Sequence, residues 1–262
     1  MDWILVTNDD GVHAPGLPSL IREVSRIAPV RAVVPDRERS WIGKAITRHD
    51  PIRVTEIVVD GLAVHSATGY PADCVQLGVN TLFDAPPRLV VSGINVGYNH
   101  GSAYLQSSGT VGAVLEGGLA GVDGVAFSTG SHRDWSVWKR WAESEASLDM
   151  WEGIAVVAAR IAAEVFEEAP TGTLLSVNLP DRATSSTPRR MTTVAEVGYD
   201  RLFSRSGDDV YVHDFGGGLA FRRPSEGTDV EAATDDVIAI TPIRGAGTGT
   251  IPDHLRRRLA GG

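Results

Sequence analysis

The sequence predicts an α/β fold built on an open, mostly parallel sheet. Three observations predict it. Residues 3–34 read as strand, loop, helix and strand, the unit that makes a right-handed parallel crossover. Further short apolar runs at 88–92, 125–128 and 174–178 are separated by stretches of helical spacing. Beyond about residue 181 this alternation stops, and Arg, Thr, Ser and Pro give way to short strand-like pieces.

The first strand, Trp3–Thr7, is largely apolar and runs straight into Asn8, Asp9, Asp10 and Gly11. Two adjacent carboxylates at the tip of a buried strand repel and lose hydration. A divalent cation would remove both costs, and Gly11 permits the turn that lets both side chains face one ion. The structural alternative for NDDG is an Asx-type turn leading to a helix cap. Leu17, Leu20, Ile21, Val24, Ile27 and Ala28 then form one apolar stripe of a helix over 16–28, closed by Pro29. Val30–Val34 is the second strand, with Asp36 and Ser40 just beyond its end.

Residues 52–66 hold two strand-like stretches joined through Gly61, a hairpin or edge pair. Gly69 and Pro71 mark a turn, Asp73 is a candidate helix cap, and Val75, Leu77, Val79 and Leu82 continue as a helix. Arg88–Ser92 is a third strand, emptying into the Gly/Asn-rich loop GINVGYNHGS. In SSGTVGAVLEGGLAG, any of Ser107, Ser108 or Thr110 can cap a helix over 111–120. A fourth strand follows at 125–128.

Trp135, Trp138 and Trp141 are spaced by three, and with Trp151 they read as core or subunit-contact residues more readily than as a base-stacking platform. Residues 149–168 form an Ala/Val-rich amphipathic helix. Leu174–Asn178 is a fifth strand, ended by Leu179-Pro180. The expected organisation is an α/β core over 1–181, a projecting β arm over 182–235 that opens with a linker at 182–190, and a return over 236–262. That return holds a last strand, 237–241, and a flexible RGAGTGT at 244–250.

Composition narrows the function classes. The formal net charge is −9, which argues against a nucleic-acid polymer as partner, since backbone binding needs a basic face. A small phosphorylated ligand is compatible, because one metal ion and a few backbone amides hold a phosphate. Arg256-Arg257-Arg258 is explained by a solvated helix face. The single cysteine, Cys74, excludes a disulfide framework and a multi-thiolate zinc site. No apolar run is long enough to span a bilayer and no basic-then-apolar leader is visible, so a cytoplasmic location is the expectation.

In an open parallel sheet, ligands bind beyond the carboxyl ends of the strands. Asp9 and Asp10 follow the first strand, Ser40 the second and Asn95 the third. Together they offer hard oxygen donors that suit Mg²⁺, Mn²⁺ or Ca²⁺ better than zinc or copper. SSGTV adds a small-residue helix start whose free amides suit a phosphate, with hydroxyls at Ser108 and Thr110. There is no Walker loop, GxGxxG, HExxH or GxSxG.

Taken together, VTNDDG with APG (6–16), PDRERS (35–40), TGYPADCV (68–75), SGINVGYN (92–99) and SSGTVGAVLEG (107–117) resemble the SurE family, metal-dependent nucleoside-monophosphate phosphatases. SVNLP (176–180) and ITP (240–242) are weaker echoes. By position, the resemblance implies metal ligands Asp9, Asp10, Ser40 and Asn95, and a phosphate pocket of Asn99, Ser108, Gly109 and Thr110. It implies a Rossmann-like three-layer α/β/α fold with a β-hairpin arm exchanged between subunits, giving a homodimer or homotetramer. His13, Ala72 and the pair Trp41-Ile42 depart from the usual pattern, where an aromatic, a Thr and two smaller residues are common.

The expected activity is hydrolysis of nucleoside monophosphates by water, 5′ and possibly 3′, with polyphosphate as a further substrate. Asp9 and Asp10 are the catalytic candidates, and one Mg²⁺ or Mn²⁺ is expected per subunit. Two other readings use the same residues. An aspartyl-phosphate phosphatase of the haloacid dehalogenase type also carries acids after its first strand, but as DxD. A non-catalytic nucleotide-binding or assembly protein would use the arm and the tryptophans for a partner.

Overall fold

The computed structural model describes residues 2–168, 172–216 and 218–246, together with Pro252, Arg256 and Leu259. The expectations for residues 247–250 and for Arg257 and Arg258 fall outside the described residues. Thirteen described strands and seven described α-helices alternate through most of the chain. The main sheet has nine strands in the order β3-β4-β2-β1-β5-β6-β7-β13-β8. These are β1 (Ile4–Thr7), β2 (Val30–Pro35), β3 (Val54–Val59), β4 (Leu62–Ala67), β5 (Leu89–Val96), β6 (Asp123–Gly130), β7 (Leu174–Pro180), β8 (Arg189–Met191) and β13 (Ile238–Pro242). From β4 to β7 all neighbours are parallel, while β3 and β13 run antiparallel to β4 and β7.

β1 lies at the centre, and its alternating side chains feed two cores. Ile4 and Val6 pack with α1 (Leu17–Val24) and α6 (Leu148–Glu168) on one face. Trp3 and Leu5 pack with α2 (Pro71–Asn80) and α4 (Gly109–Leu119) on the other. The result is helix, sheet and helix in three layers. Each fully buried Leu, Ile or Val contributes about 1.5–3 kcal/mol to holding β1 in register. Trp138 of α5 (Trp135–Ala142) and Trp151 of α6 are buried in the first core, whereas Trp135 is exposed.

Several elements differ from expectation. The loop expected from Gly93 onward begins later, because β5 runs on through a register shift to Val96, so Asn95 lies within a strand. Asp73 is not the cap of α2; it is the third helical residue, and its carboxylate accepts from the Tyr70 N–H at 2.8 Å, two roles a sequence pattern alone does not separate. A short helix, α3 (Gly101–Ser107), occupies part of the Gly/Asn-rich loop. The stretch 182–190 ends in β8, which closes the main sheet beside β13, and α7 (Asp229–Thr234) packs behind β13. Apart from the main sheet stand two small antiparallel pairs. One is the hairpin β10 (Phe203–Gly207) and β11 (Val210–His213), and the other joins β9 (Val197–Tyr199) to β12 (Leu219–Phe221). No helix among the described residues is long and apolar enough to cross a membrane.

Candidate active site

The chain leaves β1 toward β2 on one side and reaches β5 on the other, so the β1/β5 boundary is the point where strand order reverses and a crevice opens. Asn8 closes the turn there. Its side-chain amide donates to the Gly11 carbonyl at 2.9 Å and its Oδ1 accepts from the Gly11 N–H at 3.1 Å. The Asx turn is therefore the work of Asn8, and neither aspartate is needed for it. Gly11 has φ +88°, and a Cβ there would lie 2.5 Å from the Arg37 carbonyl carbon, so only glycine fits.

Asp9 is buried against the start of α4. Its Oδ1 accepts from the Thr110 hydroxyl at 2.5 Å. Ser108 caps that helix, its Oγ accepting from the Val111 N–H at 3.1 Å. Gly109 allows the close approach, since a Cβ at 109 would sit 2.8 Å from the Asp9 Cβ. Asp10 turns the other way, and its Oδ2 accepts from the Val96 N–H at 3.0 Å. Asn95, next to Val96, donates from its side-chain amide to the Gly97 carbonyl at 2.7 Å, which leaves its Oδ1 as the end free among the described residues.

Ser40 is exposed. The chain beside it is tied to the floor, because the Arg39 N–H donates to the Asp9 carbonyl at 2.7 Å. Its own hydroxyl donates to Glu38 Oε1 at 2.7 Å, so its lone pairs are unused by that bond. Asn99 is buried but anchored elsewhere. Its N–H donates to Asn178 Oδ1 and its side-chain amide to Ser128 Oγ, each at 2.8 Å. Thus Asp9, Gly109 and Thr110 are in direct contact, Asp10 and Asn95 meet through Val96, and Ser40 is one residue from the backbone bond that joins its loop to Asp9. Asn99 braces the ends of β6 and β7 instead of the start of α4.

Burial pushes the Asp9 carboxyl up to about 6, against the Thr110 hydroxyl and the Gly109 and Thr110 amides, which favour the anion. Burial and the neighbouring Asp9 charge hold Asp10 well above the usual carboxylate range, opposed by the Val96 N–H. The two acids thus share a dry site that resists carrying two charges. Among the described residues no group of three His, Cys, Asp or Glu side chains gathers as a metal site.

Sequence reasoning missed the residues that surround this site. Glu38 is one, although it stands inside the quoted PDRERS. Lys139 of α5 is another, with its ammonium 3.7 Å from Glu38 and 3.4 Å from Glu143. Partial burial works against the Lys139 charge, but Glu38, Glu143 and Asp10 outweigh it and raise its pKa. Trp135 lies across the loop after β5, its ring 2.9 Å from where a Gly97 Cβ would be. The spacing of Trp135, Trp138 and Trp141 carries no signal that places α5 beside the crevice.

The sequence model of a family described as "Survival protein SurE" matches residues 4–201. The chain is 37% identical to a protein named 5′-nucleotidase SurE from Geobacter sulfurreducens, over 92% of this chain and 87% of that one. It is 34% identical to a protein of the same name from Methanopyrus kandleri, over 98% of this chain and 99% of that one. The crystal structure of the SurE protein from Aquifex aeolicus superposes with a TM-score of 0.77 at 28% identity, over 98% of this chain and 99% of that one.

Proposed function

The chain belongs to the survival protein SurE family, and on that premise we propose that it is a metal-dependent 5′-nucleotidase, a phosphoric monoester hydrolase acting on nucleoside monophosphates. The observation that carries the reading is the pairing of Asp9 with the first turn of α4: a buried carboxylate and an anion-binding helix start, in contact at a sheet switch point.

The donor set fits one hard divalent cation, Mg²⁺ or Mn²⁺, held by Asp9, Asp10, Asn95 and Ser40. Two buried carboxylates with raised pKa values are eased by a positive charge between them. The Asn95 amide nitrogen is engaged by the Gly97 carbonyl, which turns its carbonyl oxygen to the site, and the Ser40 hydroxyl donates a hydrogen bond to Glu38, which makes its oxygen a better ligand. A cation bound there supplies charge neutralisation and Lewis acidity toward the phosphoryl group.

The protein's own groups do the rest. Without substrate the Thr110 hydroxyl and the Gly109 and Thr110 amides favour the Asp9 anion; with substrate bound, these donors and the Ser108 hydroxyl would turn to the phosphoryl oxygens and stabilise the charge that develops on them, while the Asp9 carboxylate turns its charge to the cation. Asp9 orients the attacking water and takes its proton. Asp10 fixes the end of β5 through the Val96 N–H. Asn99 supports the pocket from behind through Ser128 and Asn178. Cleavage of 3′ esters and of polyphosphate would use the same residues. The β10–β11 hairpin, with Phe203, Val210, Tyr211 and Val212 exposed, supports a β arm that joins subunits in a homodimer or homotetramer.

The test is release of phosphate from nucleoside monophosphates by wild type, Asp9→Asn and Asp10→Asn, with Mn²⁺, with Mg²⁺ and after chelation. Wild type should lose activity on chelation and regain it with metal. Each variant should lose about 10³-fold or more, the scale of removing one charge-stabilising group. Full activity in either variant rejects the site.

A further inference from the structure

Four rings from three segments surround Trp41, and the chemistry above gives them no task. The Trp41 ring centroid lies 6.1 Å from Tyr104 of α3, 5.3 Å from Tyr199 of β9, 4.9 Å from His213 of β11 and 5.6 Å from Phe215. Core packing does not explain the arrangement. Trp138 and Trp151 are 1% and 0% exposed, whereas Trp41 remains 43% exposed with all these rings behind it. Local backbone preference does not explain it either. Trp41 has φ +62°, a left-handed conformation that costs a bulky residue about 1–3 kcal/mol and that glycine adopts freely.

The rings are tied to the crevice from two sides. Trp41 directly follows Ser40. Tyr199 Oη is 2.5 Å from Ser107 Oγ and donates to the Ala103 carbonyl at 2.6 Å, and Ser107 precedes the capping Ser108. The loop is also fastened to the same place, because the Gly43 N–H donates to the Ser107 carbonyl at 2.8 Å. The platform therefore adjoins both the cation position and the phosphate position.

We propose that Trp41, backed by Tyr104 and Tyr199, is the stacking platform for the substrate's nucleobase. The inference rests on the nucleotidase reading and deepens it. A phosphate held at Ser108–Thr110 projects its sugar and base out of the crevice, and the half-exposed indole presents the flat apolar surface beside that exit. Stacking is blind to hydrogen-bond pattern but grows with ring area, so Trp41 favours base-bearing monoesters over bare sugar phosphates, and purines over pyrimidines. It makes Trp41 a specificity residue, with no part in bond cleavage.

The experiment compares kcat/KM for adenosine 5′-monophosphate and ribose 5-phosphate in wild type, Trp41→Gly and Trp41→Phe. Glycine suits the left-handed backbone, so Trp41→Gly keeps the loop's conformation. The expected result is a loss of about 5- to 100-fold on the nucleotide, carried mainly by KM, with ribose 5-phosphate changed less than about two-fold and Trp41→Phe close to wild type. Equal losses on both substrates, or none on either, would overturn the platform. Equal losses accompanied by a changed sedimentation coefficient would assign the rings to a subunit contact. Adenosine binding by saturation-transfer NMR gives a readout independent of turnover. Base-proton signals present in wild type and lost in Trp41→Gly support the platform even if no phosphate is released, an outcome that would count against the nucleotidase reading alone. Retained signals in Trp41→Gly would reject it.

Discussion

Asp9 and Ser40 stand at the ends of neighbouring strands, yet they are held in opposite ways. Asp9 is buried, set by the register of β1 between β2 and β5, and fixed by groups of α4. Ser40 is exposed, and its side chain answers to Glu38, which in turn faces Lys139. The same contrast separates the whole floor, with Asn95, Ser108 and Thr110, from the wall made by the 36–43 loop and α5. Floor positions follow from backbone hydrogen bonds and core packing, which have two states, folded or not. Wall positions follow from contacts between exposed side chains, which adjust at a cost of a few tenths of a kcal/mol. The floor should therefore set whether the reaction runs, and the wall how well and on what.

A methyl group at Gly109 tests the floor and should give the largest effect. In Gly109→Ala the new Cβ lies 2.8 Å from Asp9 Cβ, 3.0 Å from Asp9 Oδ2 and 3.2 Å from Pro71 Cγ. The floor has no room to yield, so stability should fall by about 1–3 kcal/mol. Activity should fall by about 10²-fold, since displacement of the reacting groups by a fraction of an ångström is enough. Urea unfolding and kcat measured on the same preparation check both. Wild-type values would mean that the floor adapts as the wall does.

Lys139→Gln tests the wall. The ammonium is partly exposed and shared between Glu38 and Glu143, so its removal should cost well under 1 kcal/mol of stability. Through Glu38 it reaches the Ser40 hydroxyl, so the concentration of Mn²⁺ giving half activity should shift by about two- to five-fold, with kcat nearly kept. A metal titration of activity reads it. Loss of kcat on the Gly109→Ala scale would move Lys139 from the wall to the floor.

The floor was legible in the sequence for the reason that makes it rigid. A run of apolar residues ending in NDDG, and a small-residue helix start at SSGTV, are local patterns whose placement follows from strand and helix physics. Asn95 was located although its loop was misjudged, since a strand that continues through a register shift has no apolar signature at Gly93. Asn99 was legible as a residue but not as a brace, because its partners, Ser128 and Asn178, come from strands far along the chain. In the wall Ser40 was legible as a residue, but the contacts that hold it were not. Glu38, Lys139 and Trp135 meet only after α5 has been packed by the buried Trp138, and no spacing in the sequence links residue 38 to residue 139.

His100 sits where floor passes into wall, and it sharpens the comparison with the smallest effect. It precedes α3, stacks on Tyr98 at 5.2 Å and lies 5.9 Å from Tyr104. Its Nδ1 is buried without a partner among the described residues. Burial lowers its pKa, opposed by the Asp229 charge and aided by His132. The unfolded chain therefore takes up a proton below about pH 6.5 that the folded chain refuses. The stabilisation is complete above that value and is lost as pH falls beneath it. Because α3 carries Tyr104, acidification should loosen the ring platform before it reaches β1. Amide exchange in α3 should quicken between pH 7 and pH 5, beyond the intrinsic pH dependence, while β1 stays protected. In His100→Phe, which keeps a ring and removes the proton site, the acid limb of the melting curve should flatten. An unchanged limb in that variant would rule out His100 as the source of the acid sensitivity; the raised carboxylates of the floor cannot supply it, because their contribution to stability runs the other way, falling as pH rises through their pKa values.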